Sequence, residues 1–63
     1  MKAQIILITR ENKGYDISVY DHNGQKINTA WQATHNGALR VKLIFQDYYT
    51  DENGQRLSCE ERL

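Results

Sequence analysis

Thr34-His35-Asn36-Gly37-Ala38-Leu39-Arg40-Val41-Lys42-Leu43-Ile44-Phe45-Gln46-Asp47-Tyr48-Tyr49 is the stretch on which the fold depends, because two periods are written into it. Leu39, Val41, Leu43 and Phe45 alternate with Arg40, Lys42 and Gln46, the period of a strand with one wet face, broken only by Ile44. Ala38, Val41, Phe45 and Tyr48 also share one helical stripe, with Asn36 available as its cap. The first period makes Thr34-His35-Asn36-Gly37 a hairpin turn. The second makes 38–49 a helix and the chain an α+β unit of ββαβ type.

The rest of the chain favours the strand. Its other three glycines also close polar tetrads, Glu11-Asn12-Lys13-Gly14, Asp21-His22-Asn23-Gly24 and Asp51-Glu52-Asn53-Gly54, and all four read as three-residue loops ending in a left-handed glycine. Loop length fixes register, and a one-residue slip turns every side chain to the other face. With three-residue loops Trp31 falls opposite Val41, Ile27 opposite Phe45, Val19 opposite Ile27 and Leu7 opposite Val19, so an apolar face carries through four strands. A two-residue Asn-Gly loop at 36–37 would set Trp31 against Lys42 and spoil that face. The last turn pairs Tyr49 with Leu57 and Asp47 with Cys59. The expectation is one all-β domain over 1–63, a five-stranded antiparallel meander. Its inner face holds Leu7, Tyr15, Ile17, Val19, Ile27, Trp31, Leu39, Val41, Leu43 and Phe45. Such a face must be covered, either by curling the sheet into a small SH3-like barrel or by packing two copies as a dimeric sandwich.

Composition narrows the chemistry. Eight basic residues balance eight acidic ones, so no net field draws the chain to nucleic acid or to an anionic membrane. The single Cys59 forms no internal disulfide, and Cys59 with His22 and His35 is too short a ligand set for a four-ligand zinc site. Both histidines occupy the same position of the same turn sequence, which a polar residue suits without any metal or acid–base role. Asp47, Asp51 and Glu52 lack the alternating ligand series of a calcium loop, and no glycine-rich loop opens a phosphate cradle. Ile5-Ile6-Leu7-Ile8 is too short to span a membrane or to form a signal-peptide core. No catalytic, metal or cofactor site is expected, and the chain reads as a non-enzymatic, soluble, cytoplasmic protein with a reduced thiol.

What remains is surface. In the expected register Ile6, Ile8, Tyr20 and Ile44 lie on the face turned to water, with Lys26, Arg40 and Lys42 as a basic edge. An apolar, aromatic centre with a charged rim suits a protein partner. These seven residues are the candidate site of an interaction module of the accessory, inhibitor, antitoxin-like or phage-encoded modulator type, with a homodimer as a further possibility. The alternative is a nucleic-acid-binding β-face on which Tyr20 stacks a base while Lys26, Arg40 and Lys42 hold phosphates. Neutral net charge, and Asp16 beside Arg10 in the expected sheet, weigh against it.

Overall fold

Three strands, a helix and a fourth strand follow one another in the computed structural model, which describes residues 1–63: β1 (Ile5–Glu11), β2 (Gly14–Tyr20), β3 (Lys26–Gln32), α1 (His35–Tyr48) and β4 (Ser58–Arg62). The strands form one mixed sheet in the order β3-β2-β1-β4, with β4 parallel to β1. The fold is therefore α+β. The five-stranded all-β meander is wrong, as are its two ways of covering a face: the sheet is open, and a helix lies on one side of it.

Thr34 decides the helix. It is extended (φ −123°, ψ 156°), its hydroxyl accepts the Gly37 N–H at 3.0 Å, and its carbonyl accepts the Ala38 N–H at 3.0 Å. The cap thus gives an acceptor to one of the four N–H groups that a helix start leaves without partners, that of Gly37, while the Ala38 N–H makes the first bond of the helical ladder. The cap is Thr34 and not Asn36, and the helix begins three residues before 38. It ends where Tyr49 returns to extended backbone, with its N–H donating to Phe45 O at 2.8 Å. Ala38 and Phe45 are buried and Leu39 and Val41 pack against them. Tyr49, just past the helix, fills the place expected of Tyr48, which is 59% exposed.

The first hairpin displaces β1 by one residue from the expected register. Asn12 and Lys13 both have positive φ, 50° and 61°, and Glu11 pairs with Gly14. This is a two-residue loop of type I′ dihedrals, whose twist suits a hairpin. Gly14 is a strand residue, glycine for a packing reason: a Cβ there would stand 2.4 Å from Trp31 Cζ2 and 2.6 Å from Gln32 O. With the loop one residue shorter, Val19 pairs with Ile6 instead of Leu7, and Ile17 with Ile8. Every β1 side chain changes face.

The second turn has the expected three-residue loop, with Gly24 at φ 78°, and Asp21 Oδ1 accepting the Asn23 and Gln25 N–H groups at 2.9 Å each. A bulge just beyond it undoes the register again. Val19 pairs with Asn28 but Tyr20 with Lys26, which leaves Ile27 as the extra residue and sets Asp16 against Trp31. Asp51-Glu52-Asn53-Gly54-Gln55 repeats that turn bond for bond, including Gly54 at φ 78° and Asp51 Oδ1 accepting from Asn53 and Gln55. It does not lead to Tyr49–Leu57 or Asp47–Cys59 pairing; β4 instead lies along β1, with Ile6 beside Cys59 and Ile8 beside Glu61. Parallel neighbours need a crossover, and α1 supplies it over one face.

The core is what that face and the helix enclose: Ile6, Ile8, Ile17 and Val19 from the sheet, Ala38, Phe45 and Tyr49 from the helix side, closed by Ala3 and Leu57. Asn28 Nδ2 donates to the Tyr49 hydroxyl at 3.1 Å and ties the β3 edge to the helix end. Of the expected inner face, Ile17, Val19 and Phe45 are in the core, whereas Ile27, Trp31 and Leu43 are 38%, 47% and 53% exposed. No helix is long and apolar enough to cross a membrane.

Candidate interaction surfaces

Because side chains alternate along a strand, the residues between the core positions face away from the helix. Rows across this open face read Ser58, Ile5, Tyr20, Lys26; then Glu60, Leu7, Ser18, Thr29; then Arg62, Thr9, Asp16, Trp31. No other element of the chain packs on this face, since α1 lies on the other side against Ile6, Ile8, Ile17 and Val19; Ser18, in its middle row, is nonetheless buried among its neighbours.

Trp31 is the most firmly placed large side chain here. Its ring lies over Gly14, and its Nε1–H donates to Glu11 O at 2.9 Å. The indole is thereby held on the β1–β2 hairpin while about half of it faces solvent. A large aromatic group fixed before a partner arrives loses little freedom on binding.

At the centre of the face Asp16 accepts from the hydroxyl of Ser18 and, at 2.8 Å, from that of Thr29. Each hydroxyl has one proton and spends it on the carboxylate, so the 3.0 Å approach of Ser18 Oγ to Thr29 Oγ1 is two donors sharing one acceptor. Ser18 is 1% exposed. Glu60 and Arg62 form an ion pair at 2.9 Å at the far edge, too exposed to contribute much.

The seven expected site residues are not one patch. Ile6 and Ile8 are fully buried in the core and have no surface to offer. Tyr20 and Lys26 are paired neighbours on the open face. Arg40, Lys42 and Ile44 are on α1, on the opposite side of the sheet, so the basic edge of Lys26, Arg40 and Lys42 does not exist as a unit. Ile44 is 64% exposed on the outside of the helix, next to Leu43 and one turn before Tyr48. Sequence reasoning missed Ile5, Leu7 and Trp31 as face residues, and the signal that locates them, a two-residue loop at Asn12-Lys13 plus a bulge at Ile27, is not written in hydrophobic period.

His22 lies exposed in its turn, while His35 opens α1, where its ring lies 5.5 Å from Tyr15 and its Nε2 meets Glu61 Oε1 at 2.5 Å. The two turn positions do different work. Cys59 is half-buried against the helix; burial pushes its thiol up, Lys42 pulls it back and Glu61 adds to the rise. That is the environment of an unreactive thiol. No three His, Cys, Asp or Glu side chains come together in a way that could hold a metal ion, and the surface has no cavity.

Comparison with protein-family models, with curated proteins and with solved structures finds no match.

Proposed function

We propose that the chain is a non-enzymatic protein-interaction module, soluble and cytoplasmic, that binds a protein partner through the open face of its sheet. The observation that carries this reading is Trp31, half exposed yet fixed by Gly14 and Glu11. Along the strands from it the same face offers Leu7 in the next row and Ile5 and Tyr20 in the row beyond as apolar ground, with Ile27 at 38% exposure at the β3 edge. Aromatic anchors among smaller apolar contacts with a polar rim are the usual anatomy of a binding surface. The charges of the face favour protein over nucleic acid: Asp16 and Glu60 offset Lys26 and Arg62, so the face offers phosphates no basic excess. An accessory, inhibitory or modulatory role follows from a surface that can mask another protein.

The test is capture of partners from a lysate of the source organism on the immobilised chain, with and without nuclease, alongside a Tyr20→Asp, Leu7→Lys variant checked for folding. Trp31 is the only tryptophan, so its emission reports directly on whether the face is covered. A captured protein that resists nuclease, blue-shifts Trp31 emission and is lost with the variant supports the proposal. Capture that disappears on nuclease treatment, or that the variant retains in full, overturns it.

A further inference from the structure

The outside of α1 is a second uncovered surface, and it differs from the sheet face in being self-complementary. At 3.6 residues per turn, Arg40, Leu43, Ile44 and Asp47 fall on the side of the helix opposite Ala38 and Phe45. Leu43 and Ile44 are 53% and 64% exposed, and Tyr48 flanks them at 59%. Leu43, in the middle of a stripe that should be polar, is what gave the segment its strand-like alternation, and Ile44 beside it is what broke that alternation. Local pattern and fold conflict here, and such conflicts collect at functional surfaces.

Arg40 and Asp47 bracket that apolar pair, and neither is used inside the chain: the side-chain contacts of acidic groups with basic ones are Arg62–Glu60 and the His35–Glu61 hydrogen bond. They are two helical turns apart, roughly 10 Å along the axis. We propose that this stripe is a homodimer interface in which α1 packs antiparallel against α1 of a second copy, about a two-fold axis passing between Leu43 and Ile44. Such an axis exchanges position 40 with 47 and 43 with 44. Each Arg40 then meets Asp47 of the other copy, and each Leu43 meets Ile44, so every unpaired group on the stripe finds its complement twice. A parallel arrangement would set Arg40 against Arg40 and Asp47 against Asp47. The charges therefore choose the direction as well as the partner.

The resulting dimer has four layers, sheet, helix, helix, sheet, and both open sheet faces point outward. Dimerisation through the helix neither requires nor blocks the partner face proposed above, and two such faces on one particle raise the effective affinity for a partner that presents two sites. The interface is one stripe of a 14-residue helix. It is smaller than the roughly 800 Å² per partner of a standard stable complex, which places it with weak, transient associations, so a dissociation constant well above about 10 μM is expected.

Sedimentation equilibrium from about 10 μM to about 1 mM tests this range of affinity. The average mass is expected to rise from the 7.4 kDa of the chain toward twice that value. Arg40→Asp makes the stripe doubly acidic and Asp47→Arg makes it doubly basic; each variant alone is expected to associate at least ~10-fold more weakly, while an equimolar mixture of the two associates at least as well as the original chain. Both positions are exposed, and circular dichroism verifies that the variants fold. A chain that stays monomeric across the range, association that either single variant leaves unchanged, or a mixture that fails to associate overturns the proposal.

Discussion

The tripeptide His-Asn-Gly occurs twice in this chain and folds two ways. At 22–24 it follows Asp21 and makes a hairpin loop in which Gly24 takes φ 78°; at 35–37 it follows Thr34 and becomes the first turn of a helix, with Gly37 donating its N–H to the Thr34 hydroxyl. The residue in front has the same capability in both places. Asp21 and Thr34 each offer a side-chain oxygen to a backbone N–H two to four positions ahead, which begins an Asx turn or a helix equally well. The difference lies downstream. After Gly24 the chain meets β2 and pairs with it; after Gly37 come Ala38, Val41, Phe45 and Tyr49, a stripe that closes the core only if the backbone is helical. A turn signal states that the chain departs from the preceding strand, and the burial available afterwards states where it goes.

The largest test of this comparison compares Phe45 with Leu43. As strand residues both would share the inner face; as helix residues Phe45 is 8% exposed in the core and Leu43 is 53% exposed on the outside. Phe45→Ala is therefore expected to cost about 3–5 kcal/mol, and Leu43→Ala less than ~0.5 kcal/mol, by urea unfolding at about 10 μM, where the dimer is dissociated. Equal losses at the two positions would return 38–49 to a strand.

A smaller effect, but one of opposite sign at equivalent positions, separates the two glycines. Gly24→Ala forces a Cβ onto a left-handed residue and is expected to destabilise by about 1–2 kcal/mol, even though nothing lies within 4 Å of the added atom. Gly54→Ala, in the duplicate turn, should match it within ~0.5 kcal/mol. Gly37→Ala places the better helix former in a helix; Gln32 Oε1, at 2.7 Å from the added Cβ, is the end of a flexible side chain that can swing away, and Thr34 Oγ1 at 3.2 Å and Gln32 Cβ at 3.3 Å need to give by only a few tenths of an ångström. That change is expected to be neutral or stabilising by up to ~0.5 kcal/mol. Thermal unfolding of the three alanine variants reads the signs, and a destabilising Gly37→Ala comparable to Gly24→Ala would mean that both tripeptides are turns.

These contrasts also mark how far the fold and the surface could be read from residues alone. Three strands before the helix were legible because Ile6, Ile8, Ile17 and Val19 sit in apolar runs separated by turn residues. The second loop was legible because aspartate and glycine at its ends leave few options. The face each residue takes was not. Asn12 and Lys13 supply two positive φ angles where glycine was the obvious supplier, Gly14 is kept small for Trp31, and Ile27 is spent in a bulge. Each displaces the register by one residue, and in a strand one residue is the whole distance between core and solvent. Hence Ile6 and Ile8, expected at the surface, became the centre of the core, while Trp31, expected at the centre, became the anchor of the open face. The parallel placement of β4 was illegible for a different reason: it depends on a crossover that exists only once 35–48 is a helix.

The smallest test is the histidines themselves. His22 sits exposed at the tip of a loop, whereas His35 meets Glu61 on β4 and lies 5.5 Å from Tyr15, itself under the Arg10 guanidinium at 4.9 Å. The contact links the start of α1 to the edge strand. It is nevertheless about 40% exposed on both sides, and a charged imidazole at a helix N-terminus works against the helix dipole, so its net contribution is small. His35→Ala is expected to lower stability by no more than about 1 kcal/mol, and His22→Ala by essentially nothing. Glu61→Gln should reproduce most of the His35→Ala loss, and the double variant should cost little more than either alone, because both remove the same contact. Additive losses would show instead that His35 acts through its packing on Tyr15, and that the link between the helix start and the sheet is aromatic and not ionic.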